Sequence, residues 1–291
     1  MQFTKMHGLG NNYIFFNLLE MPMEEQDLGQ LARTVSNVNT GIGSDGMILI
    51  CPSDIADFKM RIFNEDGSEG KNCGNGLRCV AKYLFDHMYA TSTDFSIETL
   101  GGVVHVMVEP DKKRIVRSVT IDMGKPKLTK GKIPMKGDPE TQTINELLTI
   151  GERSFPMTCV SMGNPHAIIF VDAVDEFPLE EMGPEIEYAD LFPERVNVGI
   201  VDVKNRQEIH YRVWERGSGL TMACGTGACA AVVAATLNHL VDQHMPITVH
   251  LPGGQLIIKW DENGHVWKSG EAAYICHGEL AMEETIPVKN K

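Results

Sequence analysis

The sequence contains no apolar run of the roughly 18 residues that a membrane-spanning helix needs. Its opening segment, MQFTKMHGLGNN, lacks the apolar stretch of a secretory signal. Basic residues are outnumbered, with 26 Lys and Arg against 39 Asp and Glu, and the formal net charge of −13 argues against a broad surface for nucleic acid or anionic lipid. We therefore expect a cytosolic protein that acts on a small molecule, without nucleic-acid or membrane partners.

The cysteines lack the spacing of a disulfide scaffold or a zinc site. There are seven of them, an odd number, they are dispersed through 291 residues, and no C-x-x-C pair occurs. Secreted disulfide scaffolds are short and dense in cysteine, and structural zinc sites use closely spaced ligand pairs. We expect reduced thiols and no bound metal, so any cysteine chemistry is acid/base, nucleophilic or redox.

Three segments recur once each, in the same order and 151 to 153 residues apart. GNNYIFF recurs as GNPHAIIF, RIFNEDGSEGKNCGNGLRCVA as RVWERGSGLTMACGTGACAA, and ETLGGVVHVMVE as HLPGGQLIIKWDE. A period this long, present twice, indicates a duplicated domain rather than a stacked solenoid. The length suits two domains, and an apolar content of 43% gives each of them enough material for a core.

Each copy predicts short strands and one central helix. Runs rich in Val, Ile, Phe and Thr predict strands at 47–51, 103–109, 168–172 and 209–213. A helix is predicted after each Cys-Gly loop, over 76–85 and 227–237. The second helix is small and apolar on every face, which indicates that its own domain encloses it. The sequence thus predicts an α/β (α+β) fold, with many strands around one buried helix in each half.

A thiol precedes a glycine-containing loop at the start of each predicted helix, Cys73 in NCGNG and Cys224 in ACGTG. Free N–H groups and the positive end of a helix dipole stabilise a thiolate or a nearby carboxylate at such a position. A cysteine that only packs is the ordinary alternative for a single C-G-x-G. The motif survives in both copies while the flanking residues differ, which favours a functional pair. Cys79 and Cys229 lie inside the helices at unmatched positions, and we assign them to packing.

Two thiols related by an approximate twofold axis suit the inversion of a carbon centre. One group removes a proton from one face and the other delivers a proton to the opposite face. A thiol, with an ordinary pKa of about 8.5, can serve as either acid or base near neutrality. Because the α-proton of an amino acid is weakly acidic, its carboxylate must be held where developing negative charge is stabilised. Two converging helix N-termini would supply that field.

Other polar residues occupy repeat-matched or glycine-flanked positions, and as a set they suit an ammonium and a carboxylate. Each has an ordinary alternative: a turn for the asparagines, a surface ion pair for the arginine and a structural role for the histidine. The histidine could also orient or deprotonate a cysteine. These candidates are Asn11, Asn64, Asn164, Asn197, Glu215, Arg216 and His166.

The segments that carry these residues resemble the diaminopimelate epimerase family along nearly the whole chain. They are MHGLGN, FNEDGSE followed by NCGNG, SMGNPH, ERVNVG, ERGSG, ACGTGACA and LPGG. The resemblance implies an enzyme that interconverts LL- and meso-2,6-diaminopimelate in lysine and cell-wall synthesis, without pyridoxal phosphate, metal or other cofactor. It implies that Cys73 and Cys224 are the acid/base thiols, with His166 and Glu215 tuning them.

The resemblance also assigns the substrate contacts. It implies that the backbone of Gly74, Asn75, Gly225 and Thr226 holds the reacting carboxylate. The rest of the substrate would be surrounded by Asn11, Asn64, Asn164, Asn197, Glu215 and Arg216. Two positions depart from the family pattern: Asn12 stands where an acidic residue is frequent, and Gly46 where a polar side chain such as Gln is usual, so one substrate contact is in doubt.

The family fold implies two pseudo-symmetric domains, each a β-barrel-like sheet around a central helix, with the active site in the cleft between them. We expect one domain over 1–118, to which 273–291 returns, and a second over 119–272. A homodimer is expected by the same resemblance.

Three other functions stay open at the level of sequence. A proline racemase-like enzyme would keep both cysteines and need no distal Arg216. A non-catalytic amino-acid-binding module would tolerate serine in place of either cysteine. A thiol redox protein would need its two sulfurs within bonding distance.

Overall fold

The computed structural model describes residues 1–20, 27–71 and 73–281. In the first part of the chain it forms, in order, β1 (Gln2–Gly8), β2 (Asn11–Asn17), α1 (Leu28–Ser36), β3 (Gly46–Cys51), β4 (Phe58–Asn64), β5 (Glu69–Gly70), α2 (Gly74–Asp86), β6 (Asp94–Thr99), β7 (Gly102–Pro110) and β8 (Val116–Asp122).

A short 3-10 helix (Lys130–Lys132) follows. The second part then forms β9 (Glu146–Ile150), β10 (Arg153–Ser161), β11 (Pro165–Phe170), α3 (Leu179–Glu187), β12 (Asn197–Asn205), β13 (Glu208–Glu215), β14 (Gly219–Leu220), α4 (Gly225–Leu237), β15 (Ile247–Leu251), β16 (Gly254–Trp260), β17 (Val266–Gly270) and β18 (Ala273–Glu279).

The strand pairings repeat between the two halves. β2 pairs in parallel with β3, and β11 does the same with β12. The parallel pair of β4 and β6 likewise recurs as β13 and β15. The two halves join where β8 pairs antiparallel with β17, so that hydrogen-bonded strands run through the described residues as one continuous sheet. The structure is therefore of the mixed α/β class, built from a duplicated unit, as the sequence predicts.

The segment after the joining strand of each half crosses to the other half. After β8, Lys127 bridges to Ser161 of β10, and β9 pairs antiparallel with β10 as well. After β17, β18 pairs antiparallel with β1. Counted by the sequence repeat, the segment after each copy thus contributes backbone hydrogen bonds to the first strand of the other copy.

Each half encloses one of the two long helices. Leu77, Val80 and Leu84 of α2 pack in one core cluster with side chains of β1, β2, β4, β6, β7 and β8. In α4 every residue from Gly227 to Thr236 is buried, and the surrounding core is formed by β10, β11, β13, β15 and β16. The prediction of one buried helix per half is confirmed. The shorter helices α1 and α3 pack outside, against separate clusters.

The predicted strands are present as β3, β7, β11 and β13, each within a few residues of its predicted bounds. The domain boundaries stay a prediction, and residues 282–291 of the returning segment lie outside the described residues. No helix in the described ranges is long and apolar enough to cross a membrane.

A buried ion pair fastens α2 to β8. Lys82 Nζ lies 2.9 Å from Asp86 Oδ2, with both side chains 6% exposed, and it also donates a hydrogen bond of 2.7 Å to the carbonyl of Val116. Asp86 in turn accepts a hydrogen bond from the Val116 N–H at 2.8 Å. Removing one partner of such a pair leaves an uncompensated charge away from water.

Lys82→Met should lower the free energy of unfolding by about 3–5 kcal/mol, because Asp86 then stays buried without its cation. Arg153→Met is the matched control: it removes a cation whose partner, Glu181, is 58% exposed, and should cost less than about 1 kcal/mol. Urea unfolding of both variants measures the difference. Equal losses would contradict the assignment of Lys82 and Asp86 as a structural pair.

Candidate active site

Cys73 is the N-cap of α2. Its Sγ accepts a hydrogen bond from the Gly76 N–H at 3.4 Å, which places the sulfur at the open end of the helix. The Tyr13 hydroxyl lies 3.4 Å from the same sulfur, and Asn11 Oδ1 lies 3.6 Å from it. The thiol is half-buried. A helix end that leaves N–H groups without intrahelical acceptors therefore faces this sulfur.

Asn11 belongs to a polar network around the start of α2. Its Oδ1 accepts from Asn75 Nδ2 at 3.3 Å, and its Nδ2 donates to Asp45 Oδ2 at 2.9 Å. Asn75 Oδ1 then accepts from the Arg78 guanidinium at 3.0 Å. The carboxylate of Asp45 also accepts from the backbone N–H of Asn12 at 2.7 Å. These bonds orient Asn11 and Asn75 beside Cys73.

Cys224 is the N-cap residue of α4, without a capping hydrogen bond from its side chain, and lies in a drier environment than Cys73. It is 5% exposed, and Thr226 Oγ1 lies 3.5 Å from its Sγ. Burial raises the pKa of the Cys224 thiol to about 12, and the neighbouring Glu215 carboxylate adds to the rise. The sequence suggested that a helix end would favour the thiolate. At Cys224 in this structure the effect of burial is the larger, so the group is a protonated thiol at neutral pH.

His166 lies under the start of α4 and reaches Cys224 through Thr226. Its Nε2 lies 3.2 Å from Thr226 Oγ1 and 3.1 Å from Asn164 Oδ1. Complete burial, with a further contribution from Arg216, lowers the pKa of His166 to about 3. The ring is therefore neutral at physiological pH and supplies hydrogen bonding rather than positive charge.

A neighbouring wall of the candidate site is formed by Glu215, Arg216 and Asn197. Asn197 is buried, accepts from the Arg216 backbone N–H at 3.0 Å and donates to the Pro165 carbonyl at 2.8 Å. The Arg216 guanidinium donates to the carbonyl of Glu194 at 2.8 Å and remains partly exposed. Glu215 accepts from the Thr221 hydroxyl. This wall therefore offers a cation and a carboxylate on adjacent residues of one strand end.

Asn64 lies apart from these contacts. It is exposed at the end of β4, where its Nδ2 donates to the Ser68 hydroxyl at 2.9 Å. Gly46 pairs with it across the sheet, and a Cβ at that position would lie 2.2 Å from the Phe63 carbonyl oxygen. The backbone thus leaves no room for a side chain at Gly46, so any polar contact there must come from another residue.

The first residues of α2 and α4 meet at one nitrogen atom. A Cβ on Gly74 would lie 2.1 Å from Lys268 Nζ, and a Cβ on Gly225 would lie 2.6 Å from the same atom. A side chain at either position would force the end of the lysine to move, because Lys268 occupies that space. The two thiol-capped helix ends therefore lie side by side, and Gly74, Asn75, Gly225 and Thr226 come together with Cys73 and Cys224.

Sequence reasoning missed several residues that the fold brings to this place. Tyr13 is the repeat counterpart of His166, and the comparison of GNNY with GNPH could have pointed to it. Arg78, fully buried, lies four residues beyond the first glycine of the loop. Lys268 comes from β17, distant in sequence, and no motif indicated it.

Known proteins that resemble this chain agree with one another. A sequence profile of the family described as diaminopimelate epimerase matches residues 3–129 and 158–275. The diaminopimelate epimerase of Bacillus cereus (strain AH187) is 56% identical over 278 residues, covering 95% of this chain and 96% of the relative. That of Bacillus licheniformis is 56% identical over 279 residues, covering 96% and 98%.

Solved structures with the same fold are more distant in sequence. A PhzF-family phenazine biosynthesis protein of Bacillus anthracis superposes with a TM-score of 0.70 at 16% identity, covering 97% of this chain and 99% of the other. A hydroxyproline epimerase of Agrobacterium vitis, solved with bound trans-4-hydroxy-L-proline, gives 0.65 at 15% identity, covering 96% and 90%. These two show the fold, and the profile with the close relatives shows that this chain belongs to the diaminopimelate epimerase family.

Proposed function

We propose that the protein interconverts LL- and meso-2,6-diaminopimelate, serving lysine and cell-wall precursor synthesis, with Cys73 and Cys224 as the acid/base pair. The observation that carries the proposal is the meeting of two thiol-capped helix N-termini at one point between the halves. Diaminopimelate is the substrate named for relatives 56% identical to this chain. The proposed reaction uses no cofactor.

The proposed reaction exchanges one proton for another at a single carbon. One sulfur, as thiolate, removes the α-proton, and the electron pair of the broken C–H bond moves toward the adjacent carboxylate. The other sulfur, as thiol, then delivers a proton to the opposite face. One thiolate becomes a thiol and one thiol becomes a thiolate, so atoms and charge balance. Because the pKa of Cys224 is raised, Cys224 is the proton donor at the start of a turnover in the ligand-free state.

The developing negative charge is stabilised by the helix ends. The backbone N–H groups of Gly74, Asn75, Gly225 and Thr226 belong to first turns, which have no intrahelical acceptors, and in this proposal they bind the reacting carboxylate. Preorganised donors of this kind act most strongly where water is excluded, and the low exposure of Cys224 supports such a site.

We assign the distal end of the substrate to the remaining polar residues. Arg216 is suited to a carboxylate, because its planar guanidinium can donate two parallel hydrogen bonds. The amides and the carboxylate of Glu215 suit an ammonium. The contacts of His166 with Thr226 support a tuning role for it. The amides so assigned are Asn11, Asn64, Asn164 and Asn197.

The proposal also covers the domain division, the oligomeric state and the location of the protein. We assign 1–118 with 273–291 to one unit and 119–272 to the other, a division supported by the pairing of β18 with β1. The homodimer rests on family resemblance, and the cytosolic location stays a prediction from the sequence. The net charge of −13 supports the absence of nucleic-acid partners.

The two thiols should react at different rates with a neutral alkylating agent. Cys73 is half-buried whereas Cys224 is 5% exposed with a raised pKa, so iodoacetamide at pH 7.5 should modify Cys73 at least about tenfold faster. Alkylation of Cys224 should rise only toward pH 10 and above, where its thiolate forms. Peptide-resolved mass spectrometry measures both rates, and faster modification of Cys224 would contradict its assignment as the protonated partner.

Cys73→Ala and Cys224→Ala should each separate proton exchange from inversion. In heavy water each variant keeps one base and the helix-end N–H groups, so it can exchange the α-proton of the stereoisomer that faces the remaining sulfur. It lacks the acid for the opposite face. Mass spectrometry with stereoisomer separation should show deuterium entering the LL isomer in one variant and the meso isomer in the other. Full epimerisation by either variant would exclude the two-base mechanism.

Arg216→Met should lower kcat/KM for diaminopimelate by about 100-fold, because two charged hydrogen bonds to the distal carboxylate are lost. Arg153→Met, which removes an exposed arginine elsewhere, is the matched control and should retain wild-type kinetics. A chiral assay of LL-diaminopimelate turnover provides the comparison. Turnover of alanine by the wild type equal to that of diaminopimelate would instead indicate a general amino-acid racemase.

A further inference from the structure

Lys268 brings a buried ammonium to the point where α2 and α4 begin. The side chain is 1% exposed, and its Nζ fills the space beside Gly74 and Gly225 that two Cβ atoms would otherwise need. Cα–Cβ bonds of a helix tilt toward its N-terminus. The nitrogen lies 2.1 Å and 2.6 Å from the two ideal Cβ positions, which places it beside the N-terminal ends of both helices, where N–H groups are free.

Packing alone does not require a charge at this position. Where β8 and β17 join, Thr120 lies opposite Ser269, and their hydroxyl oxygens are 2.6 Å apart. Lys268 lies opposite Ile121 across this junction. The repeat-matched strands β7 and β16 pair with these two residues through Val106 and Ile258, so Ile121 and Lys268 are equivalent positions about the approximate twofold axis. Ile121 is fully buried. An apolar side chain thus fills the corresponding site in the first half, and the ammonium is an addition in the second.

The ammonium has a cationic neighbour and, in the ranges that the structure describes, no carboxylate in ion-pair contact. Arg78 lies fully buried nearby. Its Nη2 donates a hydrogen bond to the side chain of Asn75, and its Nε donates one to the carbonyl of Glu271. Two buried cations therefore adjoin two positive helix ends. Such a concentration of positive charge is costly unless an anion binds there.

We propose that Lys268 is a positioning residue that completes the anion site at the two helix ends, acting on the reacting carboxylate and on the ionised thiol. This inference rests on the proposed function, since it takes an amino-acid carboxylate as the anion. The lysine adds a full charge to a site otherwise made of N–H dipoles. It accepts no proton from the substrate carbon and forms no bond to it.

The charge should depend on pH in the ligand-free protein. Burial, and after it the nearby Arg78, lower the pKa of Lys268 to about 8, while Cys229, Cys73 and Cys224 act in the opposite direction. These are the charged and titratable groups that face the ammonium from α2 and α4. Below about pH 8 the ammonium is charged and its field is present. Above that pH the proton is lost and the field with it.

Alkylation of Cys73 by iodoacetamide from pH 6.5 to 10 tests this without substrate. At pH 7 Cys73 in Lys268→Met should react at least about fivefold more slowly than in the wild type, because a positive charge that favours the thiolate is gone. The ratio of the two rates should fall toward one above pH 9, where the wild type has also lost the charge. Lys259→Met, which removes an exposed lysine from the neighbouring strand, should match the wild type throughout.

Two further measurements accompany the alkylation. The kcat/KM of Lys268→Met for LL-diaminopimelate at pH 7.5 should fall by about 10- to 100-fold. Its Tm should be no lower than that of the wild type, because a buried charge has been removed. Lys268→Gln, which keeps a polar end, serves as a second variant with the same expectations.

The outcomes are distinguishable. A rate ratio near one at pH 7, an unchanged kcat/KM, or a lowered Tm with a ratio independent of pH would overturn the proposal, the last by assigning Lys268 to packing. Loss of folding in both Lys268→Met and Lys268→Gln would also overturn the proposal, because it would assign Lys268 to packing. A wild type that fails to epimerise diaminopimelate would refute the proposed function, whereas the alkylation profile would still decide the role of Lys268.

Discussion

The antiparallel pairing of β8 with β17 determines where the helix ends can be. Each of these strands lies at the end of its own half of the sheet, and Thr120 and Ser269 fix their register. The helices α2 and α4 are enclosed by the two halves, so this junction, together with the crossing segments, sets their relative position. Gly74 and Gly225 then approach the same lysine nitrogen, and the thiols that cap the helices are carried along with them.

The backbone around the site is nearly symmetric, whereas the side chains are not. Tyr13 beside Cys73 is replaced by His166 on the other side, and the buried Ile121 by Lys268. The two sulfurs also differ in exposure, Cys73 being half-buried and Cys224 5% exposed. A duplicated scaffold can thus hold two like groups in twofold-related places and still give them different surroundings.

The sequence was sufficient to predict the duplicated architecture, because the repeated segments are visible in it. The duplicated C-G-x-G, followed by apolar residues, predicts both enclosed helices and their cysteine caps. The pKa of Cys224 could not be predicted, since the motif indicates a helix end but not how deeply that end is buried. The burial of Lys268 could not be predicted for a related reason. In the sequence VWKSG its pattern is that of an exposed strand residue, and only the pairing of β17 with β8 buries it.

Hydrogen bonding of β1 and β10, the first strands of the two sequence repeats, depends on the segment that follows the last strand of the other repeat. β18 supplies one neighbour of β1, and Lys127 with β9 supplies one neighbour of β10. A polypeptide limited to either half would leave a first strand with an open edge and a final segment with nothing to pair with. Two copies of such a polypeptide would satisfy each other by reciprocal exchange, which is the geometry of a domain-swapped dimer. The present chain has the connectivity of that dimer with its two subunits fused.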